Sequence, residues 1–288
     1  MDLEETAYAK INLALHVRRR REDGYHELET LFAFVDAGDR LWVEPADTLS
    51  LELTGPFGGD LQADDDNLVL RAARALHDAY DRSGAESRDW QARLGLPYGA
   101  RITLEKNLPV ASGVGGGSAD AAAAIRLLTD LWDLPDDYGR HLSIAAGLGA
   151  DVPACIASQV LVGTGTGMNL EFVDNDLAGT PVLLVNPQVP LSTGPVFKAW
   201  DGVDRGALPE GRASLIAREG RNDLEGPAIS LCPVIAEVLA ALSGTDRWLA
   251  RMSGSGATCF ALYATPEARD AAAAAMPRAW WTMAGRLR

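Results

Sequence analysis

The chain has 288 residues, 47% of them hydrophobic, and a formal net charge of -14. That length suffices for one large domain or two modest ones with buried cores, and the composition excludes a disordered protein. The charge opposes nucleic acid or an anionic membrane surface as partner unless positive charge is gathered locally.

No stretch approaches the roughly 18 consecutive apolar residues of a membrane span, and the opening MDLEETAYAK has neither the basic nor the apolar region of a signal peptide. A cytoplasmic protein with no nucleic-acid and no membrane partner is expected. The first segment, AYAKINLALHV, alternates, with Ile11, Leu13, Leu15 and Val17 on one face and Lys10, Asn12 and His16 on the other, the pattern of a half-buried strand. Arg18 to Arg21 form the one basic cluster and read as a solvated strand end or loop, with a site for an anionic small molecule as the sharper alternative. Strand patterns follow at LETLFAFVDAGDRLWVEP and LSLELTG, with turn signals at Ala37 to Asp39 and around Pro56 to Gly59.

Beyond the acidic run Asp64 to Asp66, Leu68, Ala72, Leu76 and Tyr80 recur at helical spacing. Residues Ser83 to Gly99 are polar and irregular and read as a surface loop or insertion. ARITLEKNLP returns to strand and leads into a glycine run. From Ser118 the alanine-rich SADAAAAIRLLTDLW predicts a helix, with Arg126 and Asp130 at i, i+4 spacing, and another is expected over Asp136 to Ala146, ended by Gly147 and Gly149.

The second half gives strands at VLVGTG, LEFV and PVLLVNP, a helix at PVIAEVLAALSG, a glycine turn in RMSGSGATCFALYA and a helix at PEARDAAAAAM. The mixture predicts an α+β protein of two domains divided near residues 155 to 180. Cys155, Cys232 and Cys259 have no CxxC spacing and are expected as reduced core thiols, and the four histidines form no HExxH pair, so a structural metal is not expected. Lysine is rare, only Lys10, Lys106 and Lys198 against 23 arginines. Codon bias explains this blandly; the alternative is that a retained lysine marks a place needing a compact ammonium.

The run Pro109 to Asp120, PVASGVGGGSAD, lies between a predicted strand and a predicted helix. Glycines let backbone amides approach a ligand and adopt positive φ, and the helix turns its partial positive end to an anion, so the run reads as a phosphate seat. The bland alternative is a tight strand-to-helix loop with no ligand. No lysine follows as in GxxxxGK[ST], and GVGGGS is a poor GxGxxG, which leaves a dinucleotide-binding dehydrogenase as a runner-up.

The run resembles the glycine-rich second motif of the GHMP kinases, the small-molecule kinases that include galactokinase, homoserine kinase and mevalonate kinase. AYAKINLALHV followed by DGYHEL, LGADVP at Leu148 to Pro153 and MSGSGATCF at Met252 to Phe260 complete four motifs in the family's order, from residue 7 to residue 260. AKIN with DGYHEL is the most specific and resembles the branch whose alcohol substrate carries a cytidine diphosphate.

The resemblance implies a two-domain GHMP kinase fold, with a ribosomal protein S5 domain 2-like N-terminal domain (residues 1–160) and a ferredoxin-like C-terminal domain (161–288), the active site lying between them. It implies ATP and Mg²⁺ as cofactors and transfer of the γ-phosphoryl group to the 2-hydroxyl of 4-(cytidine 5'-diphospho)-2-C-methyl-D-erythritol, in the non-mevalonate isoprenoid pathway. The partners are that small molecule and ATP, and the chain is a monomer or homodimer. Another GHMP kinase with a different alcohol, or a catalytically inactive nucleotide-binding protein on the same fold, are the alternatives.

By the same resemblance Asp151 is the base that takes the substrate's hydroxyl proton; an N-cap aspartate before Val152 and Pro153 is the alternative. Lys10 would lie beside it as the cation that offsets charge on the transferring group, and Asn12, on the same strand face, would orient substrate. Tyr25 and His26 match cytosine-recognition residues, and Phe197, with Thr193 nearby, matches a second stacking aromatic, a core phenylalanine being the alternative. Asn67 and Lys106 match positions that approach ATP, with surface capping and a solvated strand end as alternatives. The ATP-binding run is Pro109, Val110, Ala111, Ser112, Gly113, Val114, Gly115, Gly116, Gly117, Ser118 and Ala119. Where the family often has two serines, Ser118 is followed by Ala119, so the protein ligands of the metal are left unassigned.

Overall fold

The structure is a computed structural model and describes residues 3–81 and 99–288. Of the loop expected over Ser83 to Gly99, residues 83–98 lie outside the described residues. The chain divides into two compact units, the first Met1–Ala7, Gly38–Val110 and Gly116–Ala157, the second Tyr8–Ala37, Ala111–Gly115 and Ser158–Arg288. Two long strands, β1 (Leu3–Arg20) and β2 (His26–Ala46), pair with each other and contribute residues to both units.

In the first unit the end of β2 pairs antiparallel with β4 (Gly99–Glu105), Arg40 opposite Glu105, and β3 (Ser50–Thr54) pairs parallel with β4. Its described helices are α1 (Leu68–Asp81), α2 (Gly116–Leu131), α3 (Tyr138–Leu148) and α4 (Val152–Ala157). Asn67 starts α1 as its N-cap, the side-chain Oδ1 accepting from the Val69 amide at 3.0 Å. The alanines 121–124 of α2 are fully buried, and side chains this small let α1 pack closely on α2. Arg126 does not pair with Asp130 as the spacing suggested. Its guanidinium turns to Glu5 and the Cys155 carbonyl, partners distant in sequence.

The turn expected at Ala37 to Asp39 does not form, and β2 runs straight through it. Asp39 is fully buried, its carboxylate accepting from the Asn107 and Leu108 amides and pairing with Lys106. The polar residue that looked like a turn signal is an internal counter-ion.

In the second unit the start of β2 pairs antiparallel with β5 (Leu161–Gly165), which pairs with β6 (Asn169–Phe172). A four-stranded antiparallel sheet has the order β10-β7-β9-β8, from β7 (Pro181–Asn186), β8 (Leu249–Met252), β9 (Cys259–Leu262) and β10 (Trp281–Arg286). Its helices are α5 (Thr193–Ala199), α6 (Ala213–Glu219), α7 (Glu225–Leu231), α8 (Val234–Ser243) and α9 (Pro266–Ala275). One cluster, including Leu183, Val185, Ile235, Val238 and Tyr263, forms the core of this unit. The three cysteines are buried, as expected of core thiols.

The segment read as half-buried is buried on both faces from Ala9 to Val17. Its polar residues are satisfied internally. The Nδ1 of His16 lies 3.0 Å from the Gly206 carbonyl while its Nε2 accepts from the Arg221 amide at 3.2 Å, which fixes the neutral tautomer with the proton on Nδ1. Burial, then the Arg221 charge, holds His16 below the usual imidazole range. The basic cluster ends β1 in ion pairs, Arg18 with Glu29 and Asp204, Arg19 with Glu27, and Arg21 with Asp23.

Candidate active site

The glycine run is a turn followed by the first residues of α2, which begins at Gly116. Gly113 and Gly115 take positive φ, +81° and +63°. Gly113 is also hemmed in, because a Cβ there would lie 2.6 Å from the Ser253 carbonyl oxygen and 2.8 Å from that of Gly256. Ser253 Oγ donates to the Gly113 carbonyl at 2.8 Å and the Thr258 amide donates to the Ser112 carbonyl at 3.0 Å. The second glycine turn thus buttresses the first and fixes its amides before any ligand arrives.

Lys10 lies under this turn. Its amide donates to the Val114 carbonyl at 2.9 Å, and a Cβ on Gly115 would come within 2.8 Å of its Cε. The ammonium donates to Asn12 Oδ1 at 3.1 Å and sits 5.2 Å from the centroid of the Phe32 ring. Asn12 is in turn held, Nδ2 donating to Thr30 Oγ1 at 2.8 Å and its amide to Ser253 Oγ at 3.1 Å. Both side chains are only 3% exposed, so a solvent-facing strand lysine is ruled out, and Asn12 acts on the position of Lys10.

In the first unit, a cavity of about 290 Å³ is lined by Leu61, Gln62, Asn67, Leu68, Gly117 and Asp120 among others. Asn67 both caps α1 and faces this space, its Nδ2 bound to the Gln62 carbonyl at 3.0 Å. Lys106 is no solvated strand end. It is buried, with its ammonium paired to Asp39 and, at 2.7 Å, to Asp120. Burial, opposed by the lysine and reinforced by Asp39, pushes the Asp120 carboxyl up to about 8.

Asp151 directly precedes α4, and its carbonyl accepts from the Cys155 amide at 3.2 Å, so it occupies the cap position anticipated as its alternative. Asp151 is partly exposed.

Tyr25 sits in the turn between β1 and β2 with 67% of its surface exposed, an aromatic no core accounts for. Beside it His26 is buried, its ring centroid 5.0 Å from that of Phe197 and 5.8 Å, edge-on, from Trp200. Arg20 Nε donates to His26 Nε2 at 3.3 Å. Desolvation, then the Arg20 charge, lowers the His26 pKa, so the ring is neutral with its Nδ1 carrying the proton. Thr193 begins α5 and shares a 2.9 Å hydrogen bond with Ser255.

Sequence reasoning passed over Asp39 and Thr30 as holders of this machinery, while the MSGSGATCF turn that carries Ser253 buttresses the glycine run as the motif leads one to expect. An aspartate inside an otherwise apolar strand run was the available signal for Asp39, whereas Thr30 carries none at sequence level. Among the described residues, no three His, Cys, Asp or Glu side chains gather to hold a metal ion.

Two family models match, GHMP kinases N terminal domain over residues 67–159 and GHMP kinases C terminal over residues 205–281. The chain belongs to the GHMP kinases. It is a kinase, and ATP is its phosphoryl donor. This GHMP kinase is 59% identical over 290 residues to the 4-diphosphocytidyl-2-C-methyl-D-erythritol kinase of Novosphingobium aromaticivorans, covering 100% of this chain and 94% of the relative. It is 55% identical over 292 residues to the protein of the same name from Erythrobacter litoralis, covering 99% of each.

Among solved structures, a crystal structure of 4-(cytidine 5'-diphospho)-2C-methyl-D-erythritol kinase is 36% identical with a TM-score of 0.78 and 99% coverage of both chains. The Methanococcus jannaschii mevalonate kinase, 10% identical with a TM-score of 0.67 over 100% of this chain and 98% of its own, shares the fold. The α+β GHMP kinase fold expected from the motifs is the fold observed. No described helix of this GHMP kinase is long and apolar enough to cross a membrane.

Proposed function

We propose that this GHMP kinase transfers the γ-phosphoryl group of ATP to the 2-hydroxyl of 4-(cytidine 5'-diphospho)-2-C-methyl-D-erythritol, a step of the non-mevalonate isoprenoid route. The observation that carries the reading is identity of 59% over the whole chain to a curated kinase of that name. In this reading the family's division into residues 1–160 and 161–288 holds, in keeping with family matches at 67–159 and 205–281. The protein works in the cytoplasm as a monomer or homodimer.

Asp151 accepts the hydroxyl proton as the oxygen attacks the γ-phosphorus, and ADP leaves. Phosphate rests on the amides of the Pro109 to Ala119 run and on the start of α2. Lys10, held by Asn12 under Gly115, offsets charge on the transferring group. Asn67 and the cavity it lines take the nucleoside end of ATP. Tyr25 and Phe197 offer aromatic faces for the cytosine, the Nδ1–H of His26 donates to it, and the Thr193 hydroxyl contacts the substrate. Mg²⁺ accompanies ATP as counter-ion; it prefers phosphate oxygens with one or two carboxylates, and among the described residues no three His, Cys, Asp or Glu side chains gather to cage it.

A complex with the cytidyl substrate and a non-hydrolysable ATP analogue tests this arrangement. The expected density has cytosine against Tyr25 and His26 and triphosphate on Gly113 to Ser118. Cytosine bound away from Tyr25 overturns the substrate assignment.

A further inference from the structure

Of the consecutive arginines Arg18 to Arg21, Arg18, Arg19 and Arg21 are each paired with an acid. Arg20 has no carboxylate partner among the described residues. It spends its donors instead on His26 Nε2, which its Nε reaches at 3.3 Å, and on the Lys198 and Trp200 carbonyls, each 3.5 Å from its Nη2. Those carbonyls lie at the C-terminal end of α5, the helix that carries Phe197, and a cation is favourable there. Arg20 thus holds both the imidazole and the helix that are proposed to receive the base.

A guanidinium offers only donors and keeps its charge at any working pH. The His26 Nε2 that faces it must therefore present a lone pair, which leaves the ring proton on Nδ1. The ring is also held in place, packed against Phe197 and, edge-on, against Trp200, with 8% of the residue exposed. An unrestrained neutral imidazole exchanges between two tautomers and shows either a donor or an acceptor at Nδ1. This one is fixed as a donor, and among the described residues its Nδ1–H has no acceptor, so the donor is left for a ligand. Cytosine and uracil differ at the atom such a donor tests. Cytosine has a bare N3 that accepts, whereas uracil carries N3–H and sets donor against donor in a desolvated site.

We propose that Arg20 is a positioning residue that determines base specificity: by holding His26 as an Nδ1–H donor toward N3, it makes the site accept a cytidine diphosphate-linked alcohol and reject the uridine counterpart. This rests on the reading of Tyr25, His26 and Phe197 as the base site. Arg20 acts on the base through His26. Without the guanidinium the imidazole is free to take the other tautomer, whose bare Nδ1 accepts from the N3–H of uracil.

The test compares the parent with Arg20→Met, a change at the exposed end of β1 that leaves the buried residues of the strand in place. Both proteins are measured at about pH 8, above the ordinary imidazole range. Two-bond proton–nitrogen correlation spectra report which ring nitrogen of His26 carries the proton, its signals being assigned by their loss in His26→Gln. The parent is expected to show the proton on Nδ1 alone, and Arg20→Met a mixture with the Nε2–H form. In steady-state kinetics with the cytidyl compound and its uridine counterpart, the ratio of the two kcat/KM values should fall about tenfold in Arg20→Met, the worth of one net hydrogen bond. The change should sit in the KM of the nucleotide-linked alcohols, with a far smaller effect on kcat and on the KM for ATP.

An Arg20→Met protein that keeps either the parental tautomer or the parental discrimination overturns the proposal. So does one that loses affinity for the cytidyl and uridyl compounds equally, the signature of an arginine that contacts the diphosphate they share. A parent protein that does not prefer the cytidyl compound overturns the base site on which the proposal rests, and that failure is recognised by His26 ring signals that neither compound perturbs.

Discussion

Asp151→Asn is expected to keep its fold and both ligands and to lose about 10² to 10⁴ in kcat, the usual contribution of a positioned general base. The substitution is isosteric, and asparagine caps a helix nearly as well as aspartate, so α4 keeps its start. The loss therefore reads chemistry, not stability. Because the phosphoryl group passes through a loose transition state, proton removal is needed late, and the KM for ATP and for the alcohol should hold within a few-fold. Steady-state kinetics with a thermal melt on the same sample checks this. Full turnover in a folded variant would remove Asp151 from the chemistry and leave it a helix cap.

Lys10→Met should cost about 10²- to 10³-fold in kcat, comparable with removing one preorganised donor from a site of developing negative charge. Methionine retains the apolar stem under Gly115 and against Phe32, so packing is largely kept. The stability loss, about 1–3 kcal/mol, comes from Asn12, whose buried Oδ1 loses its donor. Lys10→Arg is not expected to rescue activity. The space between Lys10 and Gly115 leaves no room for a planar guanidinium, given that even a methyl on Gly115 would lie 2.8 Å from the lysine stem. An arginine variant with parental turnover would show that only charge matters at this position.

Much of the candidate site was legible because its constraints are local. The φ-positive glycines, the alanine-rich helix behind them and the lysines that survive among 23 arginines all announce themselves in the sequence. The scarcity of lysine was a better guide than alternation, since Lys10 and Lys106 proved buried while Lys198 is exposed. Alternation misled at β1, where a period of two was read as one wet face. A strand covered on both sides can still alternate if its polar residues find internal partners, as Lys10, Asn12 and His16 do.

What stayed hidden depends on residues far apart in sequence. Asp39 meets Lys106 across 67 positions, a separation at which no periodicity or capping rule speaks. The short helices α6 and α7 and the strand β10 were also unanticipated. Each spans only six or seven residues, too few to establish a period, and tertiary packing selects them.

The central claim is the identity of the phosphoryl acceptor, and incubating the purified protein with ATP and, separately, the cytidyl methylerythritol compound, mevalonate and homoserine tests it most directly. The predicted result is ADP release and a product phosphorylated on the 2-oxygen with the cytidyl compound alone. Faster phosphorylation of mevalonate or homoserine, or ATP bound with no transfer to any of the three alcohols, would contradict it.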